Sequence, residues 1–571
     1  MKLKLILLSF FLLISYILVS NFLFNPLQMK TDDYPFHLTM IAQFAKAIQS
    51  GDFPVRWANG FANYGGAIPI VAHQLTSYLG AFIYFLTHNV LFSGNMLFFI
   101  GAFLSNIFLY IFLRYYFPRL PSFMAVLLFN FSSYRIFNIY VRGALPEFFS
   151  TLFVPLVLIG IYLICEKKEL LKGFILITIA SFLLSLNHPM MLIIYAPLFL
   201  SYMLFLFFNR RSFRYIFLSG LAVLLGVTWA SYYLIPLLVE IKYFYYGSGI
   251  NHFNWNQFLT LINYFESQKQ TLADLKQNYD YQTLKLLNFG LIESFVFIMS
   301  LVTILLRKFV RQRNSQKQSL IIWILIVGLW YFFMTIPASK PVYHYISVFQ
   351  IIQFPWRMWT GLLIITPILF AYLLDSYSNK VLYILFIVII LTIRLPHVHG
   401  NNFQRINQLI YFFNPDNANG IMMQTVWSGD PKDYPVKNRQ SEIIKGVGVI
   451  QKEVVKNSQR LYTIYASKDL RLIDYTFYFP GWHVFIDKKE VPIQFQDPSY
   501  RGIITYNVPK GTHKIRLIFE DTKLRLFANI LTVFFFALTS GIIILIYNYG
   551  SAKSSHRPSR IQRIPNARKN I

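Results

Sequence analysis

Two adjacent carboxylates, Asp32 and Asp33, stand in the stretch TDDYPFHL (31–38), just past the first apolar run of the chain. At the mouth of a membrane span a carboxylate can act as general base on a hydroxyl, or hold a divalent cation such as Mg or Mn. His37 lies four residues beyond Asp33, which places both side chains on one helical face. The plainer alternative is that an acid at this position only caps the next helix. Arg56 and Trp57 lie in GDFPVRW (51–57), where arginine suits phosphate and tryptophan suits a headgroup layer. Snorkelling and belt anchoring would explain the same pair. Arg142 and Glu147 occur in VRGALPEFF (141–149), His188 in SLNHPMM (185–191) and Arg357 in QFPWRMW (353–359). Acids at the ends of spans are costly unless paired or used. Together these acids and cations suit a phosphate-bearing, membrane-held ligand and proton transfer.

Such residues need elements to position them, and composition defines those elements. Of 571 residues, 56% are hydrophobic and 18% aromatic, with a mean hydropathy of +0.47. Apolar runs near the roughly 20 residues that cross a bilayer recur along the chain, which predicts a polytopic α-helical membrane protein. The 52 basic residues against 24 acids give a net charge of +28. They cluster in CEKKELLK (165–172), NRRSFR (209–214), RKFVRQRNSQK (307–317) and the tail, the distribution that the positive-inside rule produces. No nucleic-acid motif accompanies them. A single cysteine, Cys165, excludes an intramolecular disulfide and a thiolate metal cluster. Walker, Rossmann, HExxH and GxSxG motifs are absent from the sequence.

Setting the basic loops in the cytoplasm predicts about twelve spans: 5–24, 95–114, 120–138, 147–165, 172–187, 189–208, 215–238, 286–306, 319–337, 357–376, 381–395 and 524–547. Both termini then lie in the cytoplasm of a plasma-membrane protein. The run 68–87, with Pro69, His73, Gln74 and Thr76, is read as an interfacial helix outside, because its crossing would invert the basic loops. Leu38, Ile41, Ala42, Ala45 and Ile48 recur at helical spacing, predicting another amphipathic helix on the bilayer. The expected division is a transmembrane domain over 1–395 with a first external loop at 25–94, an external β-rich domain at 396–523, a last span at 524–547 and a basic tail at 548–571. The runs RLYTIYAS, DYTFYF, WHVFID, GIITYNV and HKIRLIFE, separated by turn signals, predict an antiparallel β-sandwich or jelly roll that is a domain in itself.

TDDYPFHL, GDFPVRW, the Gly65–Pro69 stretch, RGALPEFF, NHP and QFPWR resemble, in order and spacing, the bacterial membrane proteins labelled pyruvoyl-tetrahydropterin-synthase-related. The segments YFPGWHVFIDKKEVPI (478–493) and GIITYNVPKGTHKIRLIFE (502–520) are similar to the ending of YfhO-type proteins, and both groups resemble the GT-C glycosyltransferase superfamily. The resemblance implies a GT-C-like enzyme that moves a sugar from a polyprenyl-phosphate-linked donor to a cell-envelope glycan, lipid or polymer on the outer face. It implies Asp33, with Asp32, as base or metal ligand, Glu147 as an assisting acid, and Arg56, His188 and Arg357 as ligands of the donor phosphate. A strict Asp-x-Asp and a WWDYG-type signature are absent from the sequence, which argues against protein N-glycosylation. A transporter or flippase of lipid-linked substrates, and a non-catalytic envelope scaffold, are the competing classes.

Overall fold

The computed structural model describes every residue except 1, 62–63, 246–252, 260–289, 310–315, 378, 401, 413–423, 430–432, 435–438 and 556–571. Most of the stretch 239–285 between two expected spans, part of the basic stretch 307–317 and two-thirds of the basic tail (556–571) therefore lie outside the described residues. Elsewhere the apolar runs are helices. Among the described residues nine helices are long and apolar enough to cross a membrane, from Leu5–Leu23 to Lys523–Asn548. Two bent pairs, Phe213–Trp229 with Ser231–Tyr243 (69°) and Lys317–Phe333 with Pro337–Tyr345 (86°), and the shorter Leu291–Leu306 occupy the other three expected spans. The chain is a polytopic helical membrane protein carrying a β-domain.

The bundle is fastened by amides as well as apolar packing. Asn106 Nδ2 donates to Ser15 Oγ (3.0 Å) and Asn130 Oδ1 (2.8 Å), and Asn130 Nδ2 donates to the Ile14 carbonyl (3.0 Å). Inside an apolar bundle each such group must find a partner, so these bonds fix the register of the first three spans. The spans stop abruptly at their basic ends: Lys168 (φ 59°) and Arg211 (φ 49°) take left-handed conformations that end their helices.

The Gln74–Thr87 helix has only 14 residues, about 21 Å at 1.5 Å per residue, too short for a ~30 Å core. Its stripe Leu79, Phe82 and Leu86 is exposed, as on a helix resting at an interface. The expected Tyr34–Gln49 helix also forms, but eleven of its 16 residues are buried. Protein covers most of the surface expected to lie on lipid. Ile41 packs so closely against Gly80 of the neighbouring helix that a Cβ there would sit 2.5 Å from it.

The β-domain is a sandwich of two antiparallel sheets, β4-β5-β10-β7-β8 and β3-β6-β9. The strands are β3 (Ser441–Lys445), β4 (Gly448–Val455), β5 (Gln459–Ala466), β6 (Leu470–Phe477), β7 (Trp482–Ile486), β8 (Lys489–Val491), β9 (Ile503–Val508) and β10 (Gly511–Phe519). Alternation is clearest in β5, whose Arg460, Tyr462, Ile464 and Ala466 point inward. A small pair, β1 (Gln28–Met29) with β2 (Phe403–Gln404), joins the two ends of the transmembrane domain.

The sandwich shares its core with the first loop, so it does not stand as the domain in itself that the sequence suggests. Trp57 meets Trp482 edge-on (5.1 Å) and Phe519 (5.1 Å), and Tyr64 stacks on Phe477 (4.9 Å). Asn457 donates to the Trp57 carbonyl (2.8 Å) and to Asp52 (2.6 Å), and Ser458 also donates to Asp52 (2.6 Å). Aromatic surface of this size stabilises whatever buries it, and the sheet faces between Trp482 and Phe477 are where the loop finds cover.

Candidate functional site

Asp33 reaches its position through backbone contacts with a distant segment. The Asp33 N–H donates to the Arg142 carbonyl (2.7 Å) and the Asp32 N–H to the Val141 carbonyl (3.3 Å). Gly143 (φ +63°) permits this approach, since a Cβ there would lie 2.3 Å from Thr31 Oγ1 and 2.6 Å from Tyr34. Only glycine fits. Asp33 stands at the N-cap of the Tyr34–Gln49 helix, yet its side chain makes no capping bond. The carboxylate turns instead toward Arg142, Nη2 to Oδ2 3.4 Å, with 43% of the side chain exposed. Asp32 is exposed.

Behind Asp33 lies a buried ionic network. Glu147, 1% exposed, receives Tyr134 Oη (2.6 Å), Asn138 Nδ2 (3.2 Å) and Thr360 Oγ1 (3.3 Å) on Oε1. Its Oε2 takes Arg142 Nη1 (2.6 Å), with Arg357 Nε at 3.6 Å. Arg142 also donates to Asn138 Oδ1 (3.0 Å) and lies over Trp356 (5.1 Å). Arg357 Nη1 donates to Gln353 Oε1 (2.7 Å) and the Ile352 carbonyl (3.2 Å). With both oxygens engaged, Glu147 is built to position the two guanidinium groups rather than to take up a proton.

Beside the network three histidines from three segments meet. His37 and His73 have ring centres 5.9 Å apart, and His73 and His188 4.3 Å. Burial lowers His37 and His73 to a pKa of about 3, with Arg142 adding to the effect on His37 and His37 itself adding to that on His73. Burial also pushes His188 well down, reinforced by His73, Arg357 and Arg142. All three imidazoles are neutral at physiological pH.

Thus Asp33, His37, Arg142, Glu147, His188 and Arg357 come together, drawn from four stretches of sequence. Arg56 and Trp57 do not join them. Arg56 is 5% exposed and binds Asn529 Oδ1 (3.0 Å) and Asp521 (Nε–Oδ1 3.5 Å) at the foot of the last span. Trp57 belongs to the core shared with the β-domain, because Trp482 and Phe519 of the sandwich pack on its indole. Sequence reasoning missed His73, Tyr134, Asn138 and Thr360. Only His73 carried a signal, as a polar residue interrupting an apolar run.

Among the described residues no group of three or more His, Cys, Asp or Glu has the geometry to hold a metal ion. An arginine, not a third oxygen ligand, faces Asp33.

The model of the 6-pyruvoyl-tetrahydropterin synthase related domain, described as a membrane protein, matches residues 74–399. The chain belongs to this family. Of the segments that build the cluster, those carrying Arg142, Glu147, His188 and Arg357 fall inside the matched region, His73 borders it, and Asp33 precedes it. An uncharacterised protein of Lactococcus lactis subsp. cremoris (strain MG1363) is 25% identical over 285 residues, 48% of this chain and 45% of that protein. The chain thus spans less than half of that relative. Among solved structures, arabinofuranosyltransferase AftD from Mycobacteria aligns with a TM-score of 0.39 and 12% identity, over 73% of this chain and 27% of that one.

Proposed function

We propose that this family member is a glycosyltransferase that moves a sugar from a polyprenyl-phosphate-linked donor to a cell-envelope acceptor at the outer face of the membrane. The observation that carries the reading is Asp33 itself: a half-exposed carboxylate that declines its cap and sits against a buried guanidinium. A helix collar needs neither feature. The basic ends of the spans favour a cytoplasmic position for the opposite end of the bundle, which supports an outer position for the cluster and the β-domain.

In this reaction Asp33 accepts the proton of the acceptor hydroxyl, whose oxygen attacks the anomeric carbon. The bond between that carbon and the phosphate oxygen breaks, and the lipid phosphate leaves with the electron pair. Arg357 and Arg142, oriented by Glu147, stabilise the departing charge. Displacement from the opposite face inverts the anomeric centre. No step requires a metal ion.

The test is a glycan and lipid profile of host cells carrying wild-type protein, Asp33→Asn or a deletion. Asp33→Asn should reach the membrane at wild-type level and lose the same envelope sugar as the deletion. If Asp33→Asn restores that sugar, Asp33 is not the base, and a scaffold or transport role replaces this reading.

A further inference from the structure

Two atoms in the histidine stack have no use in the glycosyl-transfer scheme. The Nδ1 atoms of His73 and of His188 are both buried without a hydrogen-bond partner. A buried polar atom left unpaired costs free energy, and native structures leave few of them. Here two occur on rings 4.3 Å apart, contributed by segments far apart in the sequence. His73 is half-buried, and Asp33 is among the charged groups that act on it. The neighbouring positive charges, Arg142 and Arg357, are already matched by Asp33 and Glu147.

We propose that His73 and His188 form the sugar subsite of this protein, holding hydroxyl groups of the transferred sugar ring, and that His73 sets which sugar is accepted. The inference rests on the glycosyltransfer reading and deepens it. Neutral imidazole offers one N–H donor and one acceptor lone pair, the complement of a hydroxyl, which also donates and accepts. A phosphate oxygen only accepts. It would favour imidazolium, and burial beside two arginines opposes that charge. The histidines therefore suit the neutral, polyhydroxylated part of the donor, and the arginines its phosphate.

The experiment uses the full chain in lipid nanodiscs and four probes: farnesyl phosphate and its glucosyl, galactosyl and mannosyl esters. Wild-type protein should bind at least one ester tenfold or more tighter than farnesyl phosphate. His73→Phe keeps a stacked ring without polar atoms and should bring that ester to within about twofold of farnesyl phosphate, whose own affinity stays unchanged. His73→Gln, which retains a donor and an acceptor, should keep a preference among the esters and guards against a folding defect in the Phe variant. The inference is overturned if His73→Phe weakens farnesyl phosphate by the same factor as the ester, or leaves the preference intact. Asp33→Asn separates the two readings, because it should bind the ester normally while losing transfer. If the wild-type protein prefers no ester over farnesyl phosphate and deletion leaves every envelope sugar in place, the glycosyltransfer reading falls and this inference with it.

Discussion

Two of the buried arginine–carboxylate centres among the described residues are built to opposite plans. At the foot of the last span, Arg525 is fully buried, with Nε 3.1 and 3.0 Å from the two oxygens of Glu240 and Nη2 2.8 Å from the Pro480 carbonyl. Its face lies over Phe519 (4.9 Å). This centre ties a bent span, the last span and the sandwich together, and every nitrogen of Arg525 and both oxygens of Glu240 are engaged. The Arg142–Glu147 centre has similar burial, but it adds the half-exposed Asp33 and borders two unpartnered imidazole nitrogens. Complete satisfaction marks a fastener. Partial exposure with unfilled valence marks a place where something binds.

The comparison can be broken most forcefully by removing one partner from each centre. Glu147→Gln and Glu240→Gln should each destabilise by about 3–5 kcal/mol, because each leaves guanidinium charge buried and unpaired. Thermal unfolding of the purified full chain checks this. The two differ in what survives: folded Glu240→Gln protein should keep envelope-sugar transfer, and folded Glu147→Gln protein should not. Equal activities per folded molecule would erase the distinction.

A smaller effect is expected from pH. Above 6.5, the ordinary histidine value, His37 and His73 are neutral whether folded or unfolded and contribute nothing. Below it the unfolded chain takes up protons that the folded protein refuses until about pH 3. Stability should therefore fall as pH drops from 6.5 toward 3, by up to about 1.4 kcal/mol per unit for each histidine. His73→Phe should flatten that slope, measured as unfolding midpoint against pH.

The smallest stability effects sharpen the contrast most. Asp33 and Asp521 are both part-exposed partners of a buried arginine, at 3.4 and 3.5 Å. Asp33→Asn and Asp521→Asn should each cost under about 1 kcal/mol, as solvent screens such pairs. Only the first should abolish transfer in the glycan profile.

Much of this architecture was legible in the sequence because it depends on local pattern. Apolar length gives the spans, and alternation gives β5, β6, β7, β9 and β10. The strands β3, β4 and β8 were passed over because their burial is mixed, as in Gly448–Val455, where exposed and half-buried residues succeed one another without a clean period. The site was half legible. Motifs near span ends supplied Asp33, Arg142, Glu147, His188 and Arg357. Proximity in sequence misled for Arg56 and Trp57, which the sandwich and the last span claim. The pairing of His73 with His188 depends on how the Gln74–Thr87 helix packs against the turn after Asn187, and no local rule encodes that.

The shared core between the first loop and the sandwich also dictates an order of events during synthesis. Asn59 and its partner Asn457 are 398 residues apart. At 5–20 residues per second, the ribosome needs roughly 20–80 s to deliver the partner. Through that interval Trp57, Phe61 and Tyr64 have left the insertion machinery with no sheet to cover them. Assembly of this protein therefore ends where it began, with the N-terminal loop waiting for the C-terminal strands to arrive.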